Sequence, residues 1–164
     1  MTAIRDVRSE DLRAVLEINE LSVPAMNHLS MKDMRWFAQE AEYFRVARIE
    51  SEVGGFLICL RPETPYDSPN LAWLKSRFDD FLYVDRIAVA PRFQRAGVAT
   101  ALYLDASRHA GGRFGKIACE VNIRPRNEVS IRYHERLGFR PCGSQDHGYV
   151  KVRYMLAPLP LVRR

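Results

Sequence analysis

The sequence predicts a single domain of the α/β class, in which strands and helices alternate along the chain. Of its 164 residues, 47% are hydrophobic and 27% are charged, which is the composition of one soluble globular domain rather than two. Short apolar runs of strand type alternate with apolar stripes at helical spacing, and glycines or prolines separate them. We therefore expect one domain over residues 1–157 and a C-terminal tail over residues 158–164.

The first third of the chain predicts a strand, two helices and a hairpin. Ser9 is the expected N-cap of the first helix, because Glu10 and Asp11 follow it and an apolar face begins at Leu12. Ser30, with Asp33 three residues later, predicts the capped start of a second helix. The strands expected in this part cover residues 2–7, 43–49 and 53–60.

The middle of the chain predicts the centre of the sheet. Residues 81–89 form an almost unbroken apolar run, interrupted by Asp85-Arg86, as expected for a strand that is covered on both faces. Residues 71–78 fit a short helix before this strand. After a turn, an apolar stripe from Gly97 to Ala110 predicts a longer helix that two glycines end.

The last part of the chain predicts a strand, a helix and a closing hairpin. Residues 116–121 have the pattern of a strand, and Asn127 is the expected N-cap of the helix that follows. Gly138 stops this helix, since glycine adopts the left-handed conformation that many helix C-termini require. Residues 139–156 then predict two paired strands.

Charge and hydropathy narrow the classes of partner. The formal net charge is +5 and the pI is about 9.3, but the basic residues are scattered, and only Arg163-Arg164 resembles a patch. No helix-turn-helix, zinc pattern or aromatic RNA-binding strand accompanies the charge, so we expect no nucleic-acid partner. The N-terminus lacks an apolar signal region and no stretch has the length of a membrane span. We therefore expect a cytoplasmic protein that binds no membrane.

Cysteines and histidines predict neither a disulfide nor a metal site. Cys59, Cys119 and Cys142 are far apart and lie among apolar neighbours, which is typical of buried thiols in a reducing compartment. A catalytic cysteine is the lesser alternative. The four histidines are also dispersed and show no metal-ligand spacing, so we expect no metal.

The junction after the central strand is the strongest candidate for a binding site. A turn containing Gly97 joins the strand to the helix, and the first amides of a helix have no intrahelical acceptor and lie at the positive end of its dipole. Arg92 and Arg95 add positive charge nearby. These features predict a phosphate or diphosphate site. The chain lacks the spacings GxGxxG after a first strand and GxxxxGK[ST], which argues against dinucleotide and P-loop sites.

The turn resembles a known signature. Gln94-Arg95-Ala96-Gly97-Val98-Ala99 is similar to the Q/R-x-x-G-x-G/A motif of the GNAT superfamily of N-acetyltransferases. A second block, Asn127, Ser130, Tyr133 and Leu137-Gly138-Phe139, resembles the N-x-x-A-x-x-Y-x-x-x-GF pattern of that superfamily. The sequence departs from it at Ser130, where alanine is usual, and by a few extra residues around Pro125.

The resemblance implies a fold and a donor. It implies a mixed, mostly antiparallel sheet of six to seven strands, splayed between strands four and five and flanked by about four helices. It implies acetyl-CoA as the acyl donor, with the pyrophosphate on the amides of the turn and the pantetheine beside strand four. The implied donor-binding residues are Ile87, Ala88, Val89, Gln94, Arg95, Ala96, Gly97, Val98, Ala99, Thr100, Asn127, Ser130 and Tyr133. Asn127 could also act only as a helix cap.

The resemblance also implies candidate catalytic residues. Tyr133 matches the position of the acid that protonates the departing thiolate, with the alternative that its ring only packs and contacts the sulfur of the donor. Glu120 lies in a context similar to the base of ribosomal-protein acetyltransferases, with the alternative of an edge carboxylate paired with an arginine. Asp85 is the second candidate for the base, and it is structural if it pairs with Arg86 or Arg132. A chain of waters without a dedicated base remains a further alternative.

The sequence says least about the identity of the acceptor. Two polar clusters are candidates to bind it, with the alternative that they only fold their loops: Asn27 with His28, and Tyr66, Asp67, Asn70 and Trp73. The leading hypothesis is transfer of an acetyl group to a primary amine of a small molecule, amino acid or peptide. The alternatives are a non-catalytic acyl-CoA-binding regulatory module, and an acetyltransferase for protein N-termini or lysines. The resemblance further suggests a homodimer built through exposed last strands.

Overall fold

The computed structural model describes residues 1–162, so Arg163-Arg164, the expected basic patch, lies outside the described residues. Seven strands and five α-helices make up this part of the chain. The strands are β1 (Thr2–Asp6), β2 (Tyr43–Ile49), β3 (Glu52–Leu60), β4 (Phe81–Val89), β5 (Lys116–Arg124), β6 (Arg140–Asp146) and β7 (Lys151–Pro158). The helices are α1 (Leu12–Leu21), α2 (Met31–Glu40), α3 (Pro69–Lys75), α4 (Val98–Ala110) and α5 (Glu128–Leu137).

The strands form one mixed sheet in the order β1-β2-β3-β4-β5-β7-β6, with β4 in the middle. The pairs β1–β2, β2–β3, β5–β7 and β6–β7 are antiparallel, whereas β4 and β5 are parallel. Although both strands have nine residues, their pairing covers only three positions, from Phe81↔Lys116 to Tyr83↔Ala118. The predicted sheet, mixed and opened between strands four and five, is confirmed.

Residue contacts divide the chain into two compact units, which are described separately. The first unit combines Met1–Leu60 with Asp85–His109, and the second combines Arg61–Val84 with the chain from Ala110 onward. In the first unit α1 packs against α2 and β3. Its core contains Val15, Met34, Phe37, Val46 and Phe56, all of which are almost completely buried.

Local capping signals in the first unit gave one correct and one wrong prediction. Ser30 begins α2 as expected, because its Oγ accepts the Asp33 N–H while the Asp33 carboxylate accepts the Ser30 N–H. The N-cap predicted at Ser9 is wrong, since residues Ser9–Asp11 form a short 3₁₀ turn. The buried carboxylate of Asp11 accepts the Arg8 N–H and two bonds from the Arg5 guanidinium, so the capping side chain lies two residues after Ser9.

In the second unit α5 packs on β5, and the antiparallel strands β5, β7 and β6 contribute to the core together with α3 and the first part of β4. Ile117, Ile131, Phe139 and Met155 are buried there. Asn127 caps α5, and Gly138 ends it with a φ of 104°, as predicted. The strand predicted over residues 116–121 is three residues longer at its C-terminal end.

The burial of each cysteine depends on the position of its strand in the sheet. Cys59 on β3 and Cys119 on β5 are buried as expected, and burial raises the pKa of the Cys59 thiol, which makes it a poor nucleophile. Cys142 is only partly buried, contrary to expectation, because it lies on the edge strand β6. No helix within residues 1–162 has the length and apolar character needed to cross a membrane.

Candidate active site

The turn that follows β4 has the geometry of an open cradle. A 3₁₀ turn at Pro91–Phe93 leaves the strand, and the Gln94 side chain donates from Nε2 to the Val89 carbonyl at 3.1 Å. Arg95 and Gly97 both adopt left-handed conformations, with φ of 62° and 80°. A Cβ atom at Gly97 would meet no heavy atom within 4 Å, so the space above the backbone is open.

Helix α4 begins directly after this turn. The Ala101 N–H donates to the Gly97 carbonyl at 3.0 Å. The N–H groups of Val98 and Ala99 come before Ala101 in the first turn of the helix, where N–H groups have no intrahelical acceptor. The Val98 side chain is buried and anchors the first turn, while Gly97 itself is exposed. Two flanking amides and an exposed glycine at a helix N-terminus suit a phosphate group.

The arginines beside the turn differ in their contacts. Arg92 forms an ion pair with Glu52 and lies over the ring of Phe93 at 4.8 Å, so part of its charge is already compensated. The side chain of Arg95 lies on the exposed turn. Of the two basic side chains predicted near the anion, Arg95 is therefore the one whose charge is better placed to act on a ligand of the turn.

The second half of β4 carries the other residues expected to border the donor. Ala88 is buried, while Ile87 and Val89 are half-buried. Gly55 on β3 lies against this strand, because a Cβ there would stand only 3.0 Å from the Ala88 carbonyl oxygen. A side chain at Gly55 would therefore push β4 away from β3.

Asp85 is engaged in a buried ion pair. Its Oδ2 accepts a bond of 2.7 Å from Arg86 Nε, and both side chains are 4% exposed. Arg86 also donates to Asn19 Oδ1 at 2.9 Å and to Asn27 Oδ1 at 3.0 Å. By the criterion stated above, this pairing favours a structural role for Asp85. The network also fixes the loop that contains Asn27.

The first candidate acceptor cluster lies in that loop, between α1 and α2. Asn27 is exposed at the surface but is held on both sides, since its carbonyl accepts from Asn19 Nδ2 at 3.1 Å in addition to the bond from Arg86. His28 is exposed and its Nδ1 contacts the Glu20 carboxylate. These contacts give both residues a role in ordering the loop.

Glu120 lies in the second unit at the centre of a polar cluster. The Tyr83 hydroxyl lies 2.9 Å from both carboxylate oxygens of Glu120, and Asn70 Nδ2 donates to Oε1 at 3.1 Å. Register explains the first contact, because Tyr83 pairs with Ala118, two residues before Glu120 and on the same face of β5. The partners of Glu120 include a phenol and an amide.

Tyr154 extends this cluster across the sheet. It is the antiparallel partner of Glu120 on β7, and its hydroxyl lies 2.7 Å from Asn70 Oδ1 and 2.7 Å from Gln145 Oε1. Trp73 stacks on its ring at a centroid distance of 4.1 Å. Burial, followed by the nearby charge of Glu120, raises the pKa of Tyr154, so its hydroxyl stays protonated and able to donate.

Helix α5 presents the second sequence block. Asn127 Oδ1 accepts the Ser130 N–H at 3.2 Å, so the capping role of Asn127 is realised. Tyr133 is half-buried, with its ring edge-on to His134 at 5.3 Å. Ser130, where alanine is usual in the resembled pattern, places its hydroxyl 3.3 Å from His134 Nδ1, and its carbonyl accepts from the same nitrogen at 2.7 Å.

The structure brings some predicted residues together and separates others. Asn70 and Glu120, 50 positions apart, are in direct contact, and Trp73 packs on the same cluster through Tyr154. Tyr66 instead lies in a tight turn, where its N–H donates to the Thr64 carbonyl at 2.7 Å. Tyr83 and Tyr154 were missed, because their polar ends are visible only once the strand register is known. Among residues 1–162 no group of three or more His, Cys, Asp or Glu side chains is arranged to hold a metal.

Comparison with known proteins identifies the family. The family model described as Acetyltransferase (GNAT) family matches residues 4–139, and the chain belongs to this family. No curated protein sequence matches the chain significantly.

Solved structures agree with the family in fold. Ard1 from Thermoplasma volcanium is 21% identical with a TM-score of 0.76, over 96% of this chain and 97% of that chain. The ribosomal-protein-S18-alanine N-acetyltransferase from Escherichia coli is 20% identical with a TM-score of 0.74, over 97% and 94%. A GCN5-related N-acetyltransferase from Kribbella flavida is 24% identical with a TM-score of 0.72, over 96% and 98%. At these identities the likeness concerns the fold alone.

Proposed function

We propose that this protein is an acetyl-CoA-dependent N-acetyltransferase that moves an acetyl group to a primary amine of a small molecule, amino acid or peptide. In this proposal the amine attacks the donor directly while both are bound. The observation that carries the proposal is the half-buried carboxylate of Glu120, held by Tyr83 and Asn70 in a chain of the GNAT acetyltransferase family. A carboxylate that hydrogen bonds hold in one place is suited to proton transfer, because the donated proton must be met in a defined geometry.

The donor would be held by the turn before α4 and the second half of β4. The open space at Gly97 and the amides of Val98 and Ala99 fit a pyrophosphate, and the half-buried side chains of Ile87 and Val89 suit the apolar part of the pantetheine. When bound, the donor supplies an acetyl group activated as a thioester. The family match supports this choice of donor.

Glu120 is proposed to take the proton that the amine must lose. An alkylammonium has an ordinary pKa of about 10, whereas a carboxyl group titrates near 4, so removing the proton before attack would be costly. The cost falls as the nitrogen bonds to carbon, because the proton on that nitrogen becomes far more acidic. Glu120 would therefore act during the attack, either directly or through one water.

Tyr133 is proposed to protonate the departing sulfur. A phenol with an ordinary pKa of about 10 stays protonated at neutral pH, and it can still give its proton to a thiolate, whose acid titrates near 8.5. Asn127 and Ser130 lie on the same helix and complete the family pattern, with Asn127 fixing the start of α5. The packing of Tyr133 against His134 gives its ring a defined orientation.

The chemical class of the acceptor is to be found by experiment. Two of the structural relatives act, by their names, on the alanine of ribosomal proteins. A peptide beginning with alanine therefore belongs in the acceptor panel, beside free amino acids, polyamines and lysine peptides. Exposed edge strands make a homodimer a further proposal, to be measured by the mass of the protein in solution.

The test is release of free thiol from acetyl-CoA across this acceptor panel. We expect amine-dependent release, and kcat lower by about 100-fold in Glu120→Gln and in Tyr133→Phe, the usual size of a lost general base or acid. The matched controls are Glu40→Gln and Tyr149→Phe, which alter exposed side chains and should leave kcat unchanged. CoA binding without turnover on any amine would instead favour a regulatory acyl-CoA-binding module.

A further inference from the structure

Asn70 lies where three elements of the second unit meet at Glu120. It is the second residue of α3, and its side-chain amide contacts β5 through Glu120 and β7 through Tyr154. On the same side, His147 Nε2 from the turn between β6 and β7 lies 3.2 Å from Asn70 Oδ1. One amide group therefore connects the candidate base with two other parts of the fold.

The orientation of the Asn70 amide follows from counting donors and acceptors. An ionised carboxylate can only accept, so the amide must present its NH₂ group to Glu120. Its carbonyl oxygen then faces Tyr154 and His147, both of which can donate. Reversing the amide would set its carbonyl oxygen against the carboxylate and leave two donors facing an NH₂ group.

The groups around Asn70 are themselves fixed. Ser68 caps α3, with its Oγ accepting the Leu71 N–H at 3.2 Å, and this sets the position of Asn70. Trp73 stacks on Tyr154 and restrains its hydroxyl. The turn that carries His147 is closed by its N–H, which donates to the Val150 carbonyl at 2.8 Å. The Asn70 amide thus has one geometry available to it.

We propose that Asn70 is a positioning residue for Glu120: its amide, oriented by Tyr154 and His147, fixes the Glu120 carboxylate and favours its ionised form. The inference rests on the proposed function only for its effect on turnover. The titratable groups that contact Glu120 or Asn70 include Tyr83 on β4, Tyr154 on β7 and His147 in the turn, with Cys142 beside Tyr154. Asn70 is the group that links them.

Replacing Asn70 with aspartate gives a sharp test, because the two side chains have the same shape. The oxygen that accepts from Tyr154 and His147 is kept, while the donor to Glu120 becomes a second carboxylate oxygen at about the same distance. Two carboxylates this close cannot both ionise easily, so the pair would share a proton to a higher pH. We expect the upper titration of the pair to rise by about one to two pH units above that of Glu120 in the unaltered protein.

The direct measurement is a carboxyl ¹³C NMR titration of the ligand-free protein, with the Glu120 signal assigned by its loss in Glu120→Gln. Asn70→Ala removes the donor without adding charge and should raise the Glu120 titration by a smaller amount. The matched control, Gln39→Glu, adds the same charge on the exposed face of α2 and should leave the titration unchanged. Thermal unfolding of each variant establishes that it is folded.

The second measurement is the pH dependence of kcat/KM. The acid limb of the profile should move upward in Asn70→Asp by the same amount as the NMR titration, which a merely structural role would not produce. A Glu120 titration that is the same in Asn70→Asp, Asn70→Ala and the unaltered protein overturns the inference. Full turnover in Glu120→Gln would overturn the proposed base instead, and the NMR titration would still decide whether Asn70 controls Glu120.

Discussion

Gly97 is the residue on which the proposed donor site depends most. Its φ of 80° lies in the left-handed region, which side chains with a Cβ adopt only at a cost of about 1 kcal/mol. The absence of any heavy atom within 4 Å of its Cβ position means that steric packing does not require glycine there. The requirement is instead the backbone conformation and the access it gives to the amides of the turn.

Gly97→Glu should abolish acetyl-CoA binding, because it adds bulk and negative charge beside the amides that would hold the pyrophosphate. Gly112→Glu is a close control, since Gly112 has a φ of 81°, equally open surroundings, and lies just beyond the other end of α4. Both variants should lose about 1 kcal/mol of stability from the strained backbone. Calorimetric titration should show that the affinity for acetyl-CoA is about 100-fold weaker, or about 2.7 kcal/mol, in Gly97→Glu alone. Equal affinity in both variants would mean that the turn is not part of the donor site.

Asp85 shows how a residue's role depends on its partner. From the sequence alone Asp85 is a candidate base, and Arg86 is one of two arginines that could pair with it. In the structure the pair is buried and shares its arginine with Asn19 and Asn27. Removing one member of such a pair usually destabilises a protein, because the remaining charge is left buried. Loss of activity in an Asp85 variant would therefore need a stability control before it could indicate catalysis.

At the scale of elements, strand β6 fits against helix α3 only because it carries a glycine. A Cβ at Gly143 would lie 2.3 Å from Cη2 and 2.4 Å from Cζ2 of Trp73, distances that atoms cannot adopt. Trp73 in turn is sandwiched between Tyr154 and the Arg77 guanidinium, which lies 4.3 Å from its ring centroid. These contacts restrain the tryptophan ring, so the glycine determines how closely β6 can approach α3.

Gly143→Ala should lower the free energy of unfolding by about 1–3 kcal/mol, the usual cost of overpacking. Combining it with Trp73→Phe should recover much of that loss, because phenylalanine lacks the two ring atoms that the new methyl group would strike. Urea unfolding of the wild type, both single variants and the double variant measures the coupling. Strictly additive losses would mean that Gly143 is needed for a reason other than contact with Trp73.

The two predicted helix starts, at Ser30 and at Ser9, show when a short stretch of sequence can predict the boundary of a helix. The signal at Ser30 and Asp33 lies entirely within four residues and forms its reciprocal bonds as expected. The signal at Ser9 is similar in kind, but Asp11 is drawn into bonds with Arg5 on β1. A contact with a neighbouring strand therefore overrode a local preference, and no pattern within the helix could have predicted it.

At the scale of the whole molecule, folding stability should depend on the protonation of a buried histidine. His134 on α5 is 5% exposed. Burial lowers its pKa, although its bond to the Ser130 carbonyl acts in the opposite direction. A histidine whose pKa is depressed by folding takes up protons more readily in the unfolded chain. Its contribution is therefore present above the unfolded pKa of about 6.5 and is lost as the pH falls below it.

We expect the free energy of unfolding to fall between pH 7 and pH 5 with a slope of up to about 1.4 kcal/mol per pH unit. His134→Leu should flatten this slope, because it removes the group that titrates. Denaturant unfolding at a series of pH values provides the measurement, and an unchanged slope in His134→Leu would assign the pH dependence to other groups.

Consecutive residues were sufficient to predict the order of the elements, the resemblance to the family and the conformation of the turn at Gly97. These depend on patterns of neighbours: strand and helix periodicity, the caps at Ser30 and Asn127, and the turn at Gly97, whose backbone conformation and flanking helix are local. A motif of this kind can be read from consecutive residues, because the amides that form it belong to those same residues.

The surroundings of Glu120 and the pairing of Asp85 became known from the folded chain. Tyr83 and Asn70 contact Glu120 from two other elements, and Tyr154 is its neighbour on β7. Their meeting depends on strand register and on the packing of α3. A shift of one residue in either strand would turn those side chains to the opposite face of the sheet. Side-chain contacts between distant segments depend on the packing of the whole sheet, which no short stretch of sequence specifies.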